Sequence, residues 1–402
     1  MTIKDKRFFR MIIVYAILCG IRYYEHILSV ANSCLYILSY HHGFTSRGLI
    51  GSLWLGLNRI VPFDLITYEA EYLLCEFMTV LLFVMFLIFF YLCLKKIPES
   101  QKGLAKDLMM MMAIFIFPFF LTMENFGRID IYLMMLTLLG MILLVCKRAE
   151  WLLIPICVVA MLIHQGYVFT NVNILLVLLL FLAISKSGGE RKKYAILFIM
   201  VFVSVSVLFL YFEIFRSPMG QAVYNELVEL NKRVSPDGNY YKELLQHEIL
   251  GKDVYQMEEK FHVMNREELV FVMLVFAPYA ILLVRLFKNL LSEISEKSEK
   301  LAYWLVILGP CTLIPEWLLK VDFGRYVFAT IFYYFGILLC LLMLDTSRER
   351  IYEQLAETKQ FICSKTAMPY MVMIFPAVLM PLRDIAVSQT LINILRIFGL
   401  QE

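Results

Sequence analysis

Long apolar runs alternate with polar connectors along the whole chain. Each run is long enough, or nearly so, to cross a hydrocarbon core of roughly 30 Å as a helix. The runs occupy residues 11–30, 73–94, 108–123, 131–146, 151–165, 167–185, 194–215, 269–288, 301–319, 326–344 and 367–383. Because some are short, the pattern predicts an all-α, polytopic transmembrane helix bundle of about 10–11 spans. We expect residues 1–402 to form a single integral membrane domain.

The first apolar run follows a basic N-terminus, MTIKDKRFFR, as it would in a secretory signal peptide. No small-residue cleavage site follows the run. We therefore expect an uncleaved first helix.

Basic residues recur in alternate connectors. They are Lys4, Lys6, Arg7, Arg10, Lys95, Lys96, Lys102, Lys106, Lys147, Arg148, Arg191, Lys192, Lys193, Arg285, Lys288, Lys297, Lys300, Arg348, Arg350, Lys359 and Lys365. Cytoplasmic loops carry an excess of Lys and Arg, so the pattern predicts that these connectors and the N-terminus lie in the cytoplasm. The remaining connectors are then expected to face outward.

Two of the outward connectors are long. The first, residues 32–72, contains YHHGFTSRGLIGSLWLGLNRI, which is typical of a partly apolar helix at the membrane interface. The second, residues 216–266, contains SPDGNYY and amphipathic stretches. A loop of this length usually has a function, so we expect it to cap a cavity or to move over one.

Composition supports a membrane protein. Hydrophobic residues make up 61% of the chain and charged residues 18%, with a mean hydropathy of +0.73. These values exclude a water-soluble domain. The net charge of +3 gives no support for a nucleic-acid partner, so the partner implied is lipid. The nine cysteines include no CxxC pair and fall largely in apolar runs, where they act as small hydrophobic residues.

Ionisable residues that interrupt or border apolar runs concentrate on the predicted outer face. They are Arg47, Glu124, Arg128, Asp130, His164, Glu316, Lys320, Asp322, Arg325, Arg383 and Asp384. A charge at the membrane midplane costs roughly 2.5–3.5 kcal/mol on insertion scales. Such residues therefore need partners or a function.

Two similar peptides stand out in this set: ENFGRID at 124–130 and KVDFGRY at 320–326. Each joins an outward-going run to the next inward-going run through a tight turn. Gly127 and Gly324 permit such a turn or a close backbone approach. Each peptide then presents an arginine beside acids, and guanidinium groups suit bidentate binding of phosphate or diphosphate.

A structural role is the alternative for both peptides. In that case Arg128 pairs with Asp130 or Glu124, and Arg325 pairs with Asp322, closing two hairpins. The similarity of the peptides is also compatible with an ancient internal repeat, although nothing around them repeats.

Two further residues join the candidates. His164, in MLIHQGYVF, ends one run at the predicted outer face, where a lone histidine is more often a hydrogen-bonded core residue than a catalyst. Arg47 precedes the predicted interfacial helix, where an interfacial anchor is the alternative. His41 and His42 adjoin each other but lack a third ligand at metal-site spacing, so we predict no tightly bound metal.

Several common motifs are missing from the sequence. There is no P-loop, no GxGxxG after a strand, no HExxH and no GxSxG. Nucleotide-driven transport and the common hydrolase chemistries therefore have no support. No chain of acids runs through the middle of the apolar runs, as ion-coupled transport would require.

The pattern resembles the Wzy and EpsG-like family of oligosaccharide repeat-unit polymerases. The resemblance covers roughly residues 120–340 in organisation. It rests on an Arg at the outer start of a helix in NFGRIDIYLMML, a following helix that ends in LIHQGYVF, and a later Arg leading into an aromatic helix in FGRYVFATIFYYF. The sequence departs from the family in the loop 216–266, which is nearly charge-balanced where an Arg-rich loop is expected.

The resemblance implies transfer of a growing glycan from undecaprenyl diphosphate onto another lipid-linked repeat, at the outer face of a bacterial cytoplasmic membrane. It implies that Arg128 and Arg325 hold diphosphates. Arg47 and Lys320 are further diphosphate-binding candidates on the predicted outer face. The resemblance also implies three candidates for activating the acceptor hydroxyl: Asp322, Asp130 and His164. No cofactor is implied. The expected partners are lipid-linked oligosaccharide, membrane lipids and other glycan-assembly proteins.

Two alternatives are open. A GT-C-type glycosyltransferase using a polyprenyl-phosphate sugar carries a catalytic acid in its first outer loop, where Asp64, Glu69 and Glu71 are available but form no diagnostic pair. A transporter or flippase of lipid-linked glycans should show charges along a path through the bilayer and on both faces. The charges here concentrate on one face.

Overall fold

A computed structural model of the chain describes residues 27–120, 126–215, 218–235, 237–251, 266–319 and 323–364. Over these residues the structure is helical and contains no strand, so the predicted all-α class is confirmed there. The helices are α1 Val30–Ile37, α2 Gly48–Asn58, α3 Tyr68–Lys96, α4 Lys102–Phe120, α5 Asp130–Cys146, α6 Leu153–Ile163, α7 Tyr167–Thr170, α8 Val172–Ser185, α9 Gly188–Ile214, α10 Gln221–Val234, α11 Lys242–Leu250, α12 Arg266–Glu293, α13 Lys297–Leu308, α14 Ile314–Leu319, α15 Phe323–Met343 and α16 Arg348–Ser364. Three 3-10 helices, Glu99–Gln101, Glu150–Leu152 and Gly309–Leu313, connect some of them.

Three helices within the described residues are long and apolar enough to cross a membrane: α3, α9 and α15. They coincide with the predicted runs 73–94, 194–215 and 326–344. Helices α2, α5 and α8, and the stretch Glu150–Ile163, are apolar but shorter. The predicted run 367–383 and most of the run 11–30 lie outside the described residues.

The membrane-length helices divide into one central and two peripheral helices. Of the apolar stretch of α15, 89% is buried, compared with 28% for α3 and 22% for α9. Both peripheral helices expose an apolar stripe at helical spacing, which consists of Leu73, Phe77, Val80, Val84, Leu87 and Tyr91 on α3 and Ile196, Ile199, Val203, Val207, Leu210 and Ile214 on α9. Stripes of this kind are the surfaces that membrane helices present to lipid.

The polar contacts at one end of the fold join basic residues to helix termini. Lys96, at the end of α3, donates a hydrogen bond to the Val145 carbonyl near the end of α5. Lys193, near the start of α9, contacts Glu150 at 2.7 Å. We call this the basic end. The starts of α3, α5 and α15 lie at the opposite end, called here the site end.

Helix α16 ties the basic end together. Its Arg350 pairs with Glu299 of α13. Its Glu349 accepts hydrogen bonds of 2.9 Å from the Gln101 amide. These contacts link α16 to α13 and to the 3-10 helix Glu99–Gln101, although surface pairs of this kind add little stability individually.

The predicted run 301–319 is not one helix, because a glycine and a proline break it. Pro310 has no N–H group, so the Val306 carbonyl loses its helical partner. The Tyr333 hydroxyl donates to that carbonyl at 2.9 Å instead, and the Tyr334 hydroxyl donates to the Ile307 carbonyl at 2.8 Å. Side chains of the central helix thus satisfy backbone groups that lipid could not satisfy.

The break lies beside a second one, between α6 and α8. The Asn173 amide donates to the Thr312 hydroxyl oxygen at 3.0 Å. The Thr312 hydroxyl lies within hydrogen-bond distance of two carbonyls, those of Phe169 at 3.0 Å and Gly309 at 3.1 Å. The two irregular segments therefore support each other.

Candidate functional site

Helix α1 holds the loop of the first FGR peptide. Asn32 donates its side-chain amide to the Phe126 carbonyl at 2.7 Å. The Tyr36 hydroxyl donates to the Gly127 carbonyl at 2.9 Å. Both side chains are buried, and Ser29 caps the helix that carries them. The backbone that leads into Arg128 is thereby fixed at two consecutive carbonyls.

Gly127 is required at this point for two reasons. Its φ of +80° lies in the left-handed region, which favours glycine. A Cβ atom there would lie 2.3 Å from Leu28 Cδ1 and 3.0 Å from Cys75 Sγ. The turn can therefore approach α3 closely only without a side chain.

The two FGR peptides meet on one carboxylate. Arg325, near the start of α15, donates from Nε at 2.9 Å and from Nη2 at 2.8 Å to Asp130 Oδ1. Arg128 donates from Nε to Asp130 Oδ2 at 3.3 Å. The three side chains are 12–18% exposed. We call them the Arg–Asp–Arg cluster.

The cluster joins two guanidinium groups to one carboxylate. The low exposure of the groups reduces solvent screening, so these ion pairs are stronger than they would be on an open surface. Asp130 is also the first residue of α5, where the helix dipole stabilises an anion. Donors from both arginines occupy both of its oxygens, so Asp130 is arranged to hold the two guanidinium groups in place.

The structure therefore contains the local ion pair between Arg128 and Asp130 that the structural alternative anticipates. It also gives Arg325 a partner 195 residues away in the chain. Asp322, Lys320 and Glu124 lie outside the described residues.

Arg47 has a different neighbourhood. Its Nη1 atom lies 3.4 Å from Glu248 Oε1, and the Thr45 hydroxyl donates to the other carboxylate oxygen at 3.1 Å. Glu248 lies on α11 and is 4% exposed. Arg47 therefore anchors part of the long second loop to the first connector.

Helices α10 and α11 together form a cap, defined here as residues 221–250. Polar contacts besides the Arg47–Glu248 pair join this cap to residues 33–64: Asn231 Nδ2 to Ser33 Oγ at 3.3 Å, His42 Nε2 to Glu226 Oε1 at 3.3 Å, and Arg233 to Asp64. The cap thus packs on the first connector at the site end.

His164 lies in the turn that ends α6 and is 8% exposed. Its Nδ1 accepts a hydrogen bond from the backbone N–H of Gly166 at 3.0 Å. This bond assigns the proton of a neutral ring to Nε2. The next residue, Gln165, donates to Glu213 on α9 at 2.7 Å. His164 therefore helps to form the break between α6 and α8.

Glu71 is a buried acid that the sequence pattern did not single out from its neighbours. Glu71, in the first turn of α3, is fully buried, and no described residue forms a hydrogen bond with either of its carboxylate oxygens. The two other candidate acids of the GT-C-type alternative are not buried in this way. Asp64 pairs with Arg233, and Glu69 is exposed. An acid in the first turn of an apolar helix is the sequence signal that could have singled out Glu71.

No group of three or more His, Cys, Asp or Glu side chains suited to a metal ion occurs within the described ranges. Comparison of the chain with protein-family models, with curated proteins and with solved structures finds no match.

Proposed function

We propose that this chain is a membrane glycosyltransferase that polymerises lipid-linked oligosaccharide repeat units. In this proposal it forms a bundle of about 10–11 spans in a bacterial cytoplasmic membrane, with the N-terminus inside and the site end facing outward. The positive-inside pattern supports this orientation, because the basic end carries the Lys- and Arg-rich connectors.

The Arg–Asp–Arg cluster is the observation that carries the proposal. Two guanidinium groups, positioned by one buried carboxylate, lie together at the end of a helix bundle. Arginine forks suit the oxygens of a diphosphate, which is the leaving group of a polyprenyl-diphosphate donor. Arg128 and Arg325 would bind this group, and Lys320 would add a third cation.

Other features fit a lipid-linked substrate. The exposed apolar stripes of α3 and α9 would face lipid. The polyprenyl chain of a substrate would lie in the same lipid, and its head group would reach the site end. The cap, residues 221–250, would cover the glycan, with Arg47 holding it to the first connector. Candidates for activating the acceptor are Asp322, Asp130 and His164.

Transport of lipid-linked glycans is the second candidate, and the paired helix breaks favour it. Discontinuous helices commonly form substrate sites in transporters. The contacts between Thr312 and the α6–α8 break place two such segments side by side. The following experiment separates the two functions.

The test measures the length distribution of surface polysaccharide in cells that lack the gene. Parallel strains carry the native protein, Arg128→Ala, Arg325→Ala or the control Arg148→Ala, an exposed arginine at the basic end, at matched membrane levels. If the protein is a polymerase, the deletion strain and the strains with Arg128→Ala or Arg325→Ala should carry single repeats but no long chains at the surface. Only the native protein and Arg148→Ala should restore the long chains. Complete loss of surface repeats with precursor trapped inside supports transport. An unchanged profile in the deletion strain overturns glycan assembly.

A further inference from the structure

Two histidines with little solvent exposure, His164 and His42, have partners of different kinds. His164 accepts the Gly166 backbone N–H at Nδ1, and that donor cannot become an acceptor if the ring takes up a second proton. The side chain of His42, in the first connector, is only 5% exposed. Its Nδ1 lies 3.2 Å from the Ser39 hydroxyl, and its Nε2 lies 3.3 Å from Oε1 of Glu226 on the cap. The partners of His42 therefore permit protonation, whereas the partner of His164 opposes it.

The Ser39 hydroxyl permits both charge states of His42 because a hydroxyl can donate or accept a hydrogen bond. With a neutral ring, the hydroxyl donates to Nδ1, and the Nε2–H group donates to the Glu226 carboxylate. With a protonated ring, the Nδ1–H group donates to the hydroxyl oxygen, and the bond from Nε2 to Glu226 becomes charge-assisted. A charge-assisted hydrogen bond is roughly twice as strong as a neutral one.

The His42 contact differs from two arginine pairs that also hold the cap to the first connector. These pairs are Arg47–Glu248 and Arg233–Asp64. An arginine side chain is not deprotonated in proteins, so its charge does not change with pH. A histidine, in contrast, gains or loses its charge between about pH 5 and 8. The His42 contact is therefore the pH-sensitive member of this set.

We propose that His42 and Glu226 form an acid-strengthened attachment of the cap to the first connector. In acidic surroundings the protonated imidazole pairs with a carboxylate, a group that stays ionised at pH values where histidine is already protonated. In alkaline surroundings only the neutral hydrogen bond remains. The additional attachment is thus present at low pH and is lost as the pH rises. This inference concerns how the cap is held, and it does not depend on the reaction at the Arg–Asp–Arg cluster.

Two other histidines of this region titrate in the same range. His41 is exposed, and its ring centre lies 5.2 Å from that of His42. His247 lies on α11, next to Glu248 in the sequence. Replacement of Glu226 separates these residues from His42, because it removes only the anion at Nε2 of His42.

Other charged side chains around this turn are engaged in contacts of their own. They are Arg47 with Glu248, Lys232 with Glu229 on α10, and Glu213 at the end of α9 with the amide of Gln165. Among the described acids, Glu226 is therefore the one placed to receive the charge of His42.

The test is the rate at which a protease cleaves within residues 221–250 of the purified full-length protein, at about pH 5.5 and at about pH 8. The variants are His42→Gln, Glu226→Gln, the two combined, and the control His41→Gln. A glutamine at position 42 keeps an N–H donor but cannot carry a charge. Each rate is divided by that of the native protein at the same pH, which removes the pH dependence of the protease itself.

At the lower pH, we expect the first three variants to be cleaved about two- to fivefold faster than the native protein, the range of an ion pair with one exposed partner. At the higher pH, these variants should lie within about 1.5-fold of the native rate, because only a neutral hydrogen bond is altered. His41→Gln should match the native protein at both pH values.

Cleavage ratios that are equal at the two pH values would overturn the inference, because the contact would then not titrate. An equal effect of His42→Gln with and without the Glu226 carboxylate would also overturn it, since acid would then act through another group. If His42→Gln does not fold, Glu226→Gln decides by the same comparison of the two pH values, because Glu226 is 57% exposed and its replacement leaves the core intact.

Discussion

Arg325 and Asp130, separated by 195 residues, are joined by hydrogen bonds from Nε at 2.9 Å and from Nη2 at 2.8 Å to one carboxylate oxygen. This contact links the start of the central helix α15 to the start of α5. Arg128 binds the other oxygen of the same carboxylate. Two loops that are remote in sequence therefore share one acidic side chain.

Replacement of Asp130 should strongly destabilise the protein. Asp130→Asn removes the anion from between two largely buried cations, and breaking such a pair costs about 3–5 kcal/mol. The matched control is Asp345→Asn, since Asp345 pairs with Arg348 at 2.8 Å but is 80% exposed. We expect the control to cost at most about 1 kcal/mol. Unfolding of the purified variants measures both changes, and equal losses would contradict the assignment of Asp130 as the organising residue.

Gly127→Ala should displace the loop that carries Arg128. The left-handed backbone and the contacts with Leu28 and Cys75 together should cost about 1–3 kcal/mol. Gly103→Ala is the control, because a Cβ atom there would meet no atom within 4 Å apart from its chain neighbours and the backbone of its own helix. That variant should be neutral or slightly stabilised, since alanine favours a helix. The melting temperatures of the two variants test this difference, and a tolerated alanine at 127 would refute the packing described for this turn.

The tyrosine hydroxyls of α15 should stabilise the break at Pro310. Tyr333→Phe or Tyr334→Phe leaves a carbonyl of the broken helix without its donor, and each loss should cost about 1–3 kcal/mol. Tyr352→Phe is the control, because that hydroxyl makes an exposed contact of 3.5 Å with the Ser100 carbonyl. Urea or thermal unfolding should rank both α15 variants well below the control. If all three variants are equally stable, other groups donate hydrogen bonds to the carbonyls at the break.

The Arg47–Glu248 pair should hold the cap to the first connector. A double-mutant cycle with Arg47→Ala and Glu248→Ala should give a coupling energy of about 1–3 kcal/mol, because Glu248 is buried. The exposed pair Lys232–Glu229 within α10 serves as the control, with an expected coupling of about 0.3–0.5 kcal/mol. Protease sensitivity of residues 221–250 provides a second readout. Unchanged protection in Arg47→Ala would argue that the cap is held by other contacts.

Much of the fold follows from the sequence alone. The apolar runs predict α3, α9 and α15 to within a few residues, since composition determines which segments enter a membrane. The prediction that residues 301–319 form one continuous helix is wrong. A hydropathy profile does not detect the effect of Pro310, whose missing N–H group interrupts the helix.

The site was less predictable. Both arginines were identifiable from the FGR peptides, as was the local pair with Asp130. The contact between Arg325 and Asp130 was not, because it depends on how α15 packs against α5. The same limit applies to Glu71, since a single acid at a helix start carries no signal of its burial.

The most direct measurement of the proposed function is transfer by the purified protein. The full-length chain is reconstituted in vesicles with lipid-linked repeat units extracted from the deletion strain, and the products are separated by length. We predict a ladder of longer lipid-linked glycans, with one polyprenyl diphosphate released per bond formed and no ladder from Arg325→Ala. Units that stay at their original length in the presence of folded native protein would contradict polymerisation, whether or not the units cross the vesicle membrane.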